Sequence, residues 1–272
     1  MRIIKIKPMG NVGNQMFQYI FARMLQARVP NCTVFGYDMP MWGLKSPDSP
    51  ALQAPLVIRS GHQFDITKIT EFLHSRENTH LDYGGYGQRL EYCSSADFSS
   101  SLFPKCISDN APFFGDDYIV INIRGSEIFS GIHQDYLPIP LFFYKELVSI
   151  TNKKPIFIGQ IDNSHFYIKE LRRNFQDSYF LMSRGPADDF EILRRATNVV
   201  PSVSSFSWLA TWMSHKAKSI FLPMLGFINP KQRPDINLVP TSDTRYRFFE
   251  FPVVHWTGSE DNWRYVLKLE RP

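Results

Sequence analysis

The feature that most constrains the fold is a regular alternation of short apolar runs and amphipathic segments in the second half of the chain. The apolar runs have the length of strands, and the segments between them carry apolar residues at helical spacing. This pattern predicts strands over residues 118–124, 156–159, 179–182, 198–200 and 219–222, and helices over residues 140–150, 164–174, 187–196 and 205–216. Alternating strands and helices predict an α/β protein with a parallel, doubly wound sheet.

The first half of the chain shows the same pattern more weakly. It predicts strands over residues 3–6, 33–35 and 56–58 and helices over residues 14–28 and 66–74. Residues 38–55, which contain several prolines, read as a long loop, and the Gly- and Tyr-rich residues 83–89 match no regular element. A closing helix is predicted near residues 262–269.

Residues 103–117 are the best candidate for a linker because they combine two prolines and a glycine with several Asp and Asn residues. They divide the chain into an N-terminal α/β domain, residues 1–115, and a C-terminal α/β domain with a closing tail, residues 116–272. Ligands commonly bind where two domains meet, so we expect a central cleft between them.

Composition excludes several classes of protein. The chain of 272 residues is 43% hydrophobic and 15% aromatic, which is typical of a packed globular enzyme. Its net charge of +4 is too small to indicate nucleic-acid binding, although it suits an anionic substrate or peripheral association with the inner face of a membrane. Three widely spaced cysteines and the lack of an apolar leader favour free thiols and a cytoplasmic location.

The first motif is the turn and helix start at residues 9–18, MGNVGNQMFQ. Its glycines allow a close approach of the backbone to a ligand, and the start of the helix can bind an anion. The candidates for donor and phosphate binding are Gly10, Asn11, Gly13 and Asn14, and those for binding acceptor hydroxyls are Gln15 and Gln18. The alternative is a plain strand-to-helix turn with an asparagine as the N-cap.

The second motif follows the apolar run at residues 119–121 and begins at Asn122. Arg124 is the candidate anion ligand because its guanidinium suits a phosphate or a carboxylate. Glu127 and Asp135 are candidate proton acceptors, and His133 is a candidate for acceptor binding. The alternatives are a surface Arg–Glu pair after an edge strand, a surface loop histidine, and a turn or cap aspartate.

The third motif is PSVSSFSWLATW, residues 201–212, in which a strand ends and a helix begins among hydroxyl residues. Ser204 and Ser205 can cap this helix and bind phosphate oxygens at its N-terminus. Phe206 is counted with the donor-binding residues, although aromatic residues at this spacing more often belong to a core. Asp189, which opens the preceding helix, is a candidate nucleoside contact or a charge that stabilises the helix N-terminus.

These three motifs together resemble those of the α-1,2-fucosyltransferases and related GDP-fucose-dependent glycosyltransferases. The family begins with G-G-L-G-N-Q-M-F-Q after a strand, which residues 10–18 match with Asn11 in place of one glycine. Its H-x-R-R-x-D motif matches residues 122–127, where Arg124 is kept and Gly125 replaces the second arginine. Asn122 and Glu127 stand for the His and the Asp. The motif N-S-T-F-S-W-W-A-A-W-L is similar to residues 203–213.

The resemblance implies a GT-B architecture, with two Rossmann-like doubly wound domains that face a central cleft. Residues 1–115 would lie on the acceptor side, and residues 116–272 would bind the nucleotide sugar. It also implies an inverting, metal-independent transfer of L-fucose from GDP-fucose to a hydroxyl of a glycan or lipid-linked saccharide, in polysaccharide or glycoconjugate biosynthesis. Arg124 and the serine motif would contact the donor diphosphate. No D-x-D motif is present, and no cofactor beyond the nucleotide sugar is expected.

Two other hypotheses remain open at this point. Because the second motif departs from the family pattern, the chain could be a non-catalytic protein that binds glycans or nucleotides on the same scaffold. It could also be a transferase that uses a different nucleotide sugar, such as a UDP-sugar. Within the enzyme hypothesis, Glu127 or Asp135 could assist deprotonation of the acceptor, or dissociative chemistry could proceed without a strong base.

Overall fold

The computed structural model describes residues 1–51, 53–75, 79–104, 106 and 111–271. Its contacts divide the chain into two compact units. The first unit comprises Met1–Ile107 and Asp235–Leu238, and the second comprises Ser108–Pro234 and Val239–Pro272. The division falls within the predicted linker but before the predicted boundary at residue 115. Nothing in the sequence indicated that residues 235–238 belong to the first unit.

The first unit contains six strands and four helices among its described residues. The strands are β1 (Arg2–Ile6), β2 (Cys32–Phe35), β3 (Asp38–Met39), β4 (Leu44–Lys45), β5 (Leu56–Ile58) and β6 (His80–Tyr83). The helices are α1 (Val12–Arg28), α2 (Ile66–Ser75), α3 (Leu90–Cys93) and α4 (Ala96–Leu102). Four strands form a parallel sheet in the order β2-β1-β6-β5. The antiparallel pair β3–β4 lies within the segment that was predicted to be entirely loop.

Helix α1 begins two residues before its predicted start. Gly10 has a left-handed backbone, with φ of 63°, and Asn11 is extended as the N-cap residue. These two conformations turn the chain after β1 early enough for Val12 to start the helix. Its buried side, which includes Met16, Phe17 and Ile20, packs in the core of the first unit.

The second unit has six strands and five helices among its described residues. The strands are β7 (Tyr118–Ile123), β8 (Lys154–Gly159), β9 (Tyr179–Met182), β10 (Asn198–Val200), β11 (Ser219–Met224) and β12 (Tyr246–Glu250). The helices are α5 (Leu141–Thr151), α6 (Phe166–Asn174), α7 (Pro186–Arg195), α8 (Ser205–Trp212) and α9 (Glu260–Leu267). The strands form a single parallel sheet in the order β12-β11-β10-β7-β8-β9.

This order is that of a Rossmann sheet, because the chain builds outward from β7 in one direction and then from β10 in the other. Strand β7 is central, and its residues Ile119, Val120 and Ile121 are fully buried, as is typical of parallel strands covered on both faces. All five strands predicted for this half are confirmed. The edge strand β12 was missed because Arg247 and Glu250 interrupt its apolar pattern and are exposed.

The predicted α/β class, with two units built on parallel sheets, is therefore confirmed. The central cleft between the two domains stays a prediction. Cys32, Cys93 and Cys106 are all buried free thiols, as expected from their spacing. None of the helices in the described part of the chain is both long and apolar enough to cross a bilayer.

Candidate functional site

The second and third motifs follow two adjacent strands at the centre of the second sheet. Strand β7 pairs with β10 through Val120–Val199 and Ile121–Val200, and the order of the sheet reverses between these two strands. The loops at the carboxyl ends of such strands form the switch point, where open parallel sheets bind ligands. Arg124 lies in the loop after β7 at this switch point. The alternative that it follows an edge strand is therefore wrong.

Arg124 and Ser202 line one small cavity at the switch point. The rest of the lining is mostly apolar and includes Val203, Tyr144 and Tyr167. The cavity has a volume of about 10 Å³, which is near the space that one water molecule requires. Two motifs that are almost 80 residues apart in sequence thus meet at one place.

The guanidinium of Arg124 forms an ion pair with the carboxylate of Glu127, which lies on the short 3₁₀ turn Ser126–Ile128. The side chains of Arg124 and Glu127 are 29% and 38% exposed. The hydroxyl of Ser130 donates a hydrogen bond to the main-chain oxygen of Glu127 at 2.7 Å and holds this turn. Glu127, a predicted proton acceptor, therefore pairs with the predicted anion ligand.

Gly125, which stands where the related family has a second arginine, is packed too closely for a side chain. A Cβ atom there would lie 2.8 Å from Cε2 of Phe129 and 3.2 Å from the main-chain oxygen of Gln160. Phe129 in turn stacks on His165, with ring centroids 4.1 Å apart. The side-chain oxygen of Gln160 accepts a hydrogen bond from the Gly125 amide at 2.8 Å. The glycine is thus a packing requirement of this loop.

Asn122 was predicted to contact the donor, but the structure gives it a different role. It is buried, and its side-chain oxygen accepts a hydrogen bond from the Ser202 hydroxyl at 2.7 Å. The hydroxyls of Ser202 and Ser207 are 3.0 Å apart, and Ser207 donates to the main-chain oxygen of Ser202 at 3.1 Å. The oxygen of Asn122 therefore fixes the loop after β10 against the end of β7.

Asp135 was predicted to accept a proton, and the structure shows that its carboxylate also holds loops of the second unit together. Its carboxylate is buried and receives a hydrogen bond on each oxygen, from Arg233 Nη1 at 3.0 Å and from Gln232 Nε2 at 2.9 Å. Its main-chain oxygen accepts from the amide of Phe227 at 2.8 Å. Asp135 therefore ties three loop segments of the second unit together, and each of its carboxylate oxygens already accepts one hydrogen bond. His133 is an exposed loop residue beside Tyr136, as the alternative reading held.

The third motif forms the N-terminus of α8. Ser204 is the N-cap residue, and its hydroxyl accepts a hydrogen bond from the amide of Phe206 at 3.3 Å. Ser205 is the first helical residue, and the first turn carries no acidic side chain. Phe206 packs edge-to-face on Phe190 with centroids 5.2 Å apart, so its ring belongs to the contact between α7 and α8. Its predicted place among the donor ligands has no support from this packing.

Asp189 lies in the first turn of α7 and is half-buried. Burial raises the pKa of Asp189, and the Ser183 hydroxyl, which donates to its carboxylate at 2.8 Å, acts in the opposite direction. The position of Asp189 is compatible with both predicted roles, contact with the nucleoside and stabilisation of the N-terminus of α7.

The first motif belongs to the first unit, where it follows β1. A Cβ atom on Gly10 would lie 2.3 Å from the side-chain nitrogen of Asn14, so the turn requires a glycine there. Asn14 accepts a hydrogen bond from Gln88 at 2.8 Å, and Gln15 donates one to the main-chain oxygen of Gly10 at 3.0 Å. Asn11 is exposed, and its side chain makes no capping bond. Gly13 is the second residue of α1 and is buried.

Gln18 was predicted to bind the acceptor, but it is fully buried and serves the fold. Its amide nitrogen donates to the main-chain oxygens of Lys7 and Gly85, both at 3.0 Å, and its amide oxygen accepts from the amide of Met9 at 2.9 Å. Its hydrogen-bonding capacity is therefore used. The bonds join the loops after β1 and β6, which are the central strands of the first sheet.

Sequence reasoning missed the partners of these residues. Gln88 and Gly85 belong to the segment that matched no regular element, and Gln232 and Arg233 lie almost 100 residues beyond Asp135. Over the residues that the structure describes, no group of three or more His, Cys, Asp or Glu side chains could hold a metal ion.

Comparisons with known proteins give only distant similarities. No family model matches the chain, and no curated protein matches it. The solved structure of E. coli heptosyltransferase WaaC with ADP is similar at 12% identity and a TM-score of 0.48, over 93% of this chain and 94% of that chain. The bacterial iron-containing dodecameric glycosyltransferase TibC from enterotoxigenic E. coli H10407 is similar at 14% identity and a TM-score of 0.46, over 93% of this chain and 63% of that chain. Similarities of this size do not assign a family, so function rests on the site itself.

Proposed function

We propose that the chain is a glycosyltransferase that binds a nucleotide-sugar donor at the switch point of the second unit. The observation that carries this proposal is that Arg124 after β7 and Ser202 after β10 line the same cavity. Open parallel sheets bind ligands at this place. A guanidinium close to a serine-capped helix N-terminus is well suited to the two phosphates of a nucleoside diphosphate.

In the proposed reaction, the bond between the sugar and the diphosphate breaks, and the acceptor hydroxyl forms the new bond to the sugar. Arg124 would stabilise the negative charge that develops on the departing diphosphate, and the amides at the start of α8 would assist it. A transferase of this kind needs no metal ion, because fixed donors and a cation neutralise the leaving group. Removing one such donor typically lowers kcat by about 100- to 1,000-fold.

GDP-fucose is the proposed donor, and the resemblance of the three motifs to those of fucosyltransferases supports this choice. The packing of Gly125 against Phe129 explains how the chain lacks the second arginine of those enzymes while keeping the loop ordered. The donor diphosphate would therefore meet one guanidinium here. A different nucleotide sugar remains the alternative, and the acceptor would be a hydroxyl of a glycan or lipid-linked saccharide.

The chemistry of the acceptor follows from the carboxylates of the site. The two oxygens of Asp135 accept hydrogen bonds from Arg233 and Gln232, and Glu127 is paired with Arg124. We therefore propose a reaction in which the sugar–diphosphate bond is largely broken before the acceptor hydroxyl attacks, so that the hydroxyl loses its proton late, to solvent water, and needs no strong base.

Calorimetric titration of the whole chain with GDP, ADP and UDP, followed by transfer assays with the matching sugar donors, tests the proposal. We expect GDP to bind most tightly and Arg124→Ala to weaken it by about 10- to 100-fold, as for loss of a charge-assisted hydrogen bond. Arg173→Ala is the matched control, because Arg173 also pairs with a glutamate three residues away but on an exposed helix. A folded protein that neither binds nor turns over any of these nucleotides would contradict the proposal.

A second candidate function is a nucleotide-sugar-binding protein without catalysis. The observation that favours it is the same engagement of Asp135 and Glu127, because both predicted proton acceptors are paired with arginine side chains. Nucleotide binding that depends on Arg124, without transfer to any acceptor of a broad glycan panel, would support this candidate over the enzyme.

A further inference from the structure

Three adjacent strands of the first sheet bring charged side chains together at their carboxyl ends. Asp82 lies near the end of β6, Lys7 directly follows β1, and Arg59 directly follows β5. Nζ of Lys7 is 2.9 Å and Nη1 of Arg59 is 3.1 Å from the same oxygen, Oδ2 of Asp82. The function proposed above makes no use of this cluster.

The charges of the cluster do not balance. Two cations share one carboxylate, so the cluster carries a net positive charge. The side chains of Lys7 and Arg59 are 47% and 58% exposed, and thus both cations can reach a ligand in solvent. A group with one negative charge would complete the balance, and a carboxylate or a phosphate offers oxygens to both cations at once.

The hydrogen bonding of the cluster is incomplete as well. The side chain of Asp82 is only 10% exposed, and within the described part of the chain its second oxygen, Oδ1, is buried without a hydrogen-bond partner. Buried acceptors in folded proteins are nearly always paired with protein or water. A hydrogen-bond donor is therefore what this oxygen lacks, and the hydroxyl of a sugar is such a donor.

A glycine lies beside both cationic residues. A Cβ atom on Gly84 would lie 3.3 Å from the main-chain oxygen of Ile58, 3.6 Å from that of Arg59 and 3.7 Å from Cβ of Lys7. Gly84 thus packs between the backbone at the end of β5 and the stem of Lys7, where a side chain would crowd both. The carboxyl edge of the sheet is the usual position of ligand sites in parallel sheets.

We propose that Lys7, Arg59 and Asp82 bind an anionic sugar, with its carboxylate or phosphate on the two cations and a hydroxyl on Asp82. The inference rests on the proposed function in one respect, since it names the class of acceptor: a saccharide that carries a negative charge. The binding itself requires no nucleotide and can be measured separately.

Saturation-transfer NMR and calorimetry on the whole chain test the site with methyl β-D-glucuronide, glucose 6-phosphate and the neutral methyl β-D-glucoside. We expect the charged sugars to bind at least about fivefold more tightly than the neutral one, and to weaken as sodium chloride is added. Lys7→Met and Arg59→Gln should each weaken the binding of the charged sugars by about tenfold, the effect of one lost charged hydrogen bond. The difference between glucuronide and phosphate identifies the preferred anion.

The control is Lys68→Met, because Lys68 pairs with Asp65 on the exposed surface of the same unit. Asp82→Asn is the second variant, and thermal unfolding establishes that it folds. It leaves both cations without a counter-charge and should bind inorganic phosphate more tightly than the unchanged chain does. Equal affinities for charged and neutral sugars, or no effect of Lys7→Met and Arg59→Gln, would overturn the inference. If GDP binds while the sugars do not, only the inference fails; if the sugars bind and no nucleotide does, the proposed function fails.

Discussion

At the scale of single residues, Glu127 forms an ion pair with the guanidinium of Arg124, which the proposed donor would need. It lies three residues after Arg124, and the two side chains pair over the loop that follows β7. A diphosphate that binds Arg124 must therefore displace this carboxylate or share the guanidinium with it. The loop after β7 thus offers a cation that can bind an anion, and the Glu127 carboxylate is the anion bound there in this structure.

Replacing Glu127 by Gln should raise the affinity for GDP. An exposed ion pair contributes about 0.2–1 kcal/mol, so its removal should tighten binding by about 1.5- to fivefold. Calorimetry measures the change, and Glu170→Gln is the control because Glu170 pairs with Arg173 on a helix surface. Unchanged or weaker binding by Glu127→Gln would show that Glu127 does not compete with the nucleotide.

The packing at Gly125 predicts a second effect at this scale. Gly125→Ala should destabilise the fold by about 1–3 kcal/mol, because the new methyl group meets the ring of Phe129. Phe129→Ala in the same chain should remove most of that cost, and the two changes should therefore not be additive. Urea unfolding of both single variants and the double variant measures the coupling. Additive costs would mean that Gly125 is required for another reason.

Residue roles were the part of the site that the sequence could indicate least well. Arg124 stands out because it ends an apolar run, and its position is as predicted. Gln18 and Asp135 carry equally plausible chemistry, but their side chains are satisfied by Gly85, Gln232 and Arg233, which are distant in sequence. Whether a polar residue is free depends on such partners, and no local pattern encodes them.

At the scale of elements, the regular spacing of apolar runs was enough to locate five strands of the second unit. It could not give their order, because pairing depends on which strands meet after the chain has folded. The adjacency of β7 and β10 is what joins the arginine motif to the serine motif. Short elements with charged residues, such as β12 and the pair β3–β4, lie below what periodicity can detect.

Ser204 gives a prediction for helix α8. Ser204→Ala should cost about 1 kcal/mol of stability through loss of the N-cap and should also weaken GDP, because the start of this helix is part of the proposed donor site. Ser259 is a matched control: it caps α9, with its hydroxyl 3.3 Å from the amide of Asn262, as Ser204 is from Phe206. Ser259→Ala should lose similar stability and keep its affinity. Equal affinities in both variants would remove α8 from the site.

At the scale of the whole molecule, the first unit includes a late segment of the chain. Residues 235–238 belong to it, although most of the second unit precedes them in sequence. The amide of Leu90 donates to the main-chain oxygen of Asn237 at 2.8 Å, and Arg89 donates to that of Asp235 at 2.7 Å. Ile236 and Leu238 are buried. The first unit therefore depends on a segment that follows it by more than 100 residues, and so its stability is not a property of residues 1–115 alone.

Leu238→Ala tests this dependence. A buried leucine cut to alanine typically costs about 2–5 kcal/mol, and here the loss should fall on the first unit. That unit contains all three cysteines, and burial raises the pKa of Cys32 to about 11, so its thiol reacts slowly in the native protein. We expect Leu238→Ala to label its thiols faster in urea than the unchanged chain does. The urea midpoint of tryptophan fluorescence should shift less, because four of the tryptophans lie in the second unit.

Leu209→Ala in α8 is the control, because Leu209 is fully buried in the second unit and the same change of side chain should shift tryptophan fluorescence first. If thiol labelling responds first in Leu238→Ala and tryptophan fluorescence responds first in Leu209→Ala, each unit responds mainly to the cavity made within it. Equal shifts of both probes in both variants would show one cooperative unit and contradict the division. A Leu238→Ala variant that moved only the tryptophan signal would return residues 235–238 to the second unit, and would make the first unit independent of the distal chain.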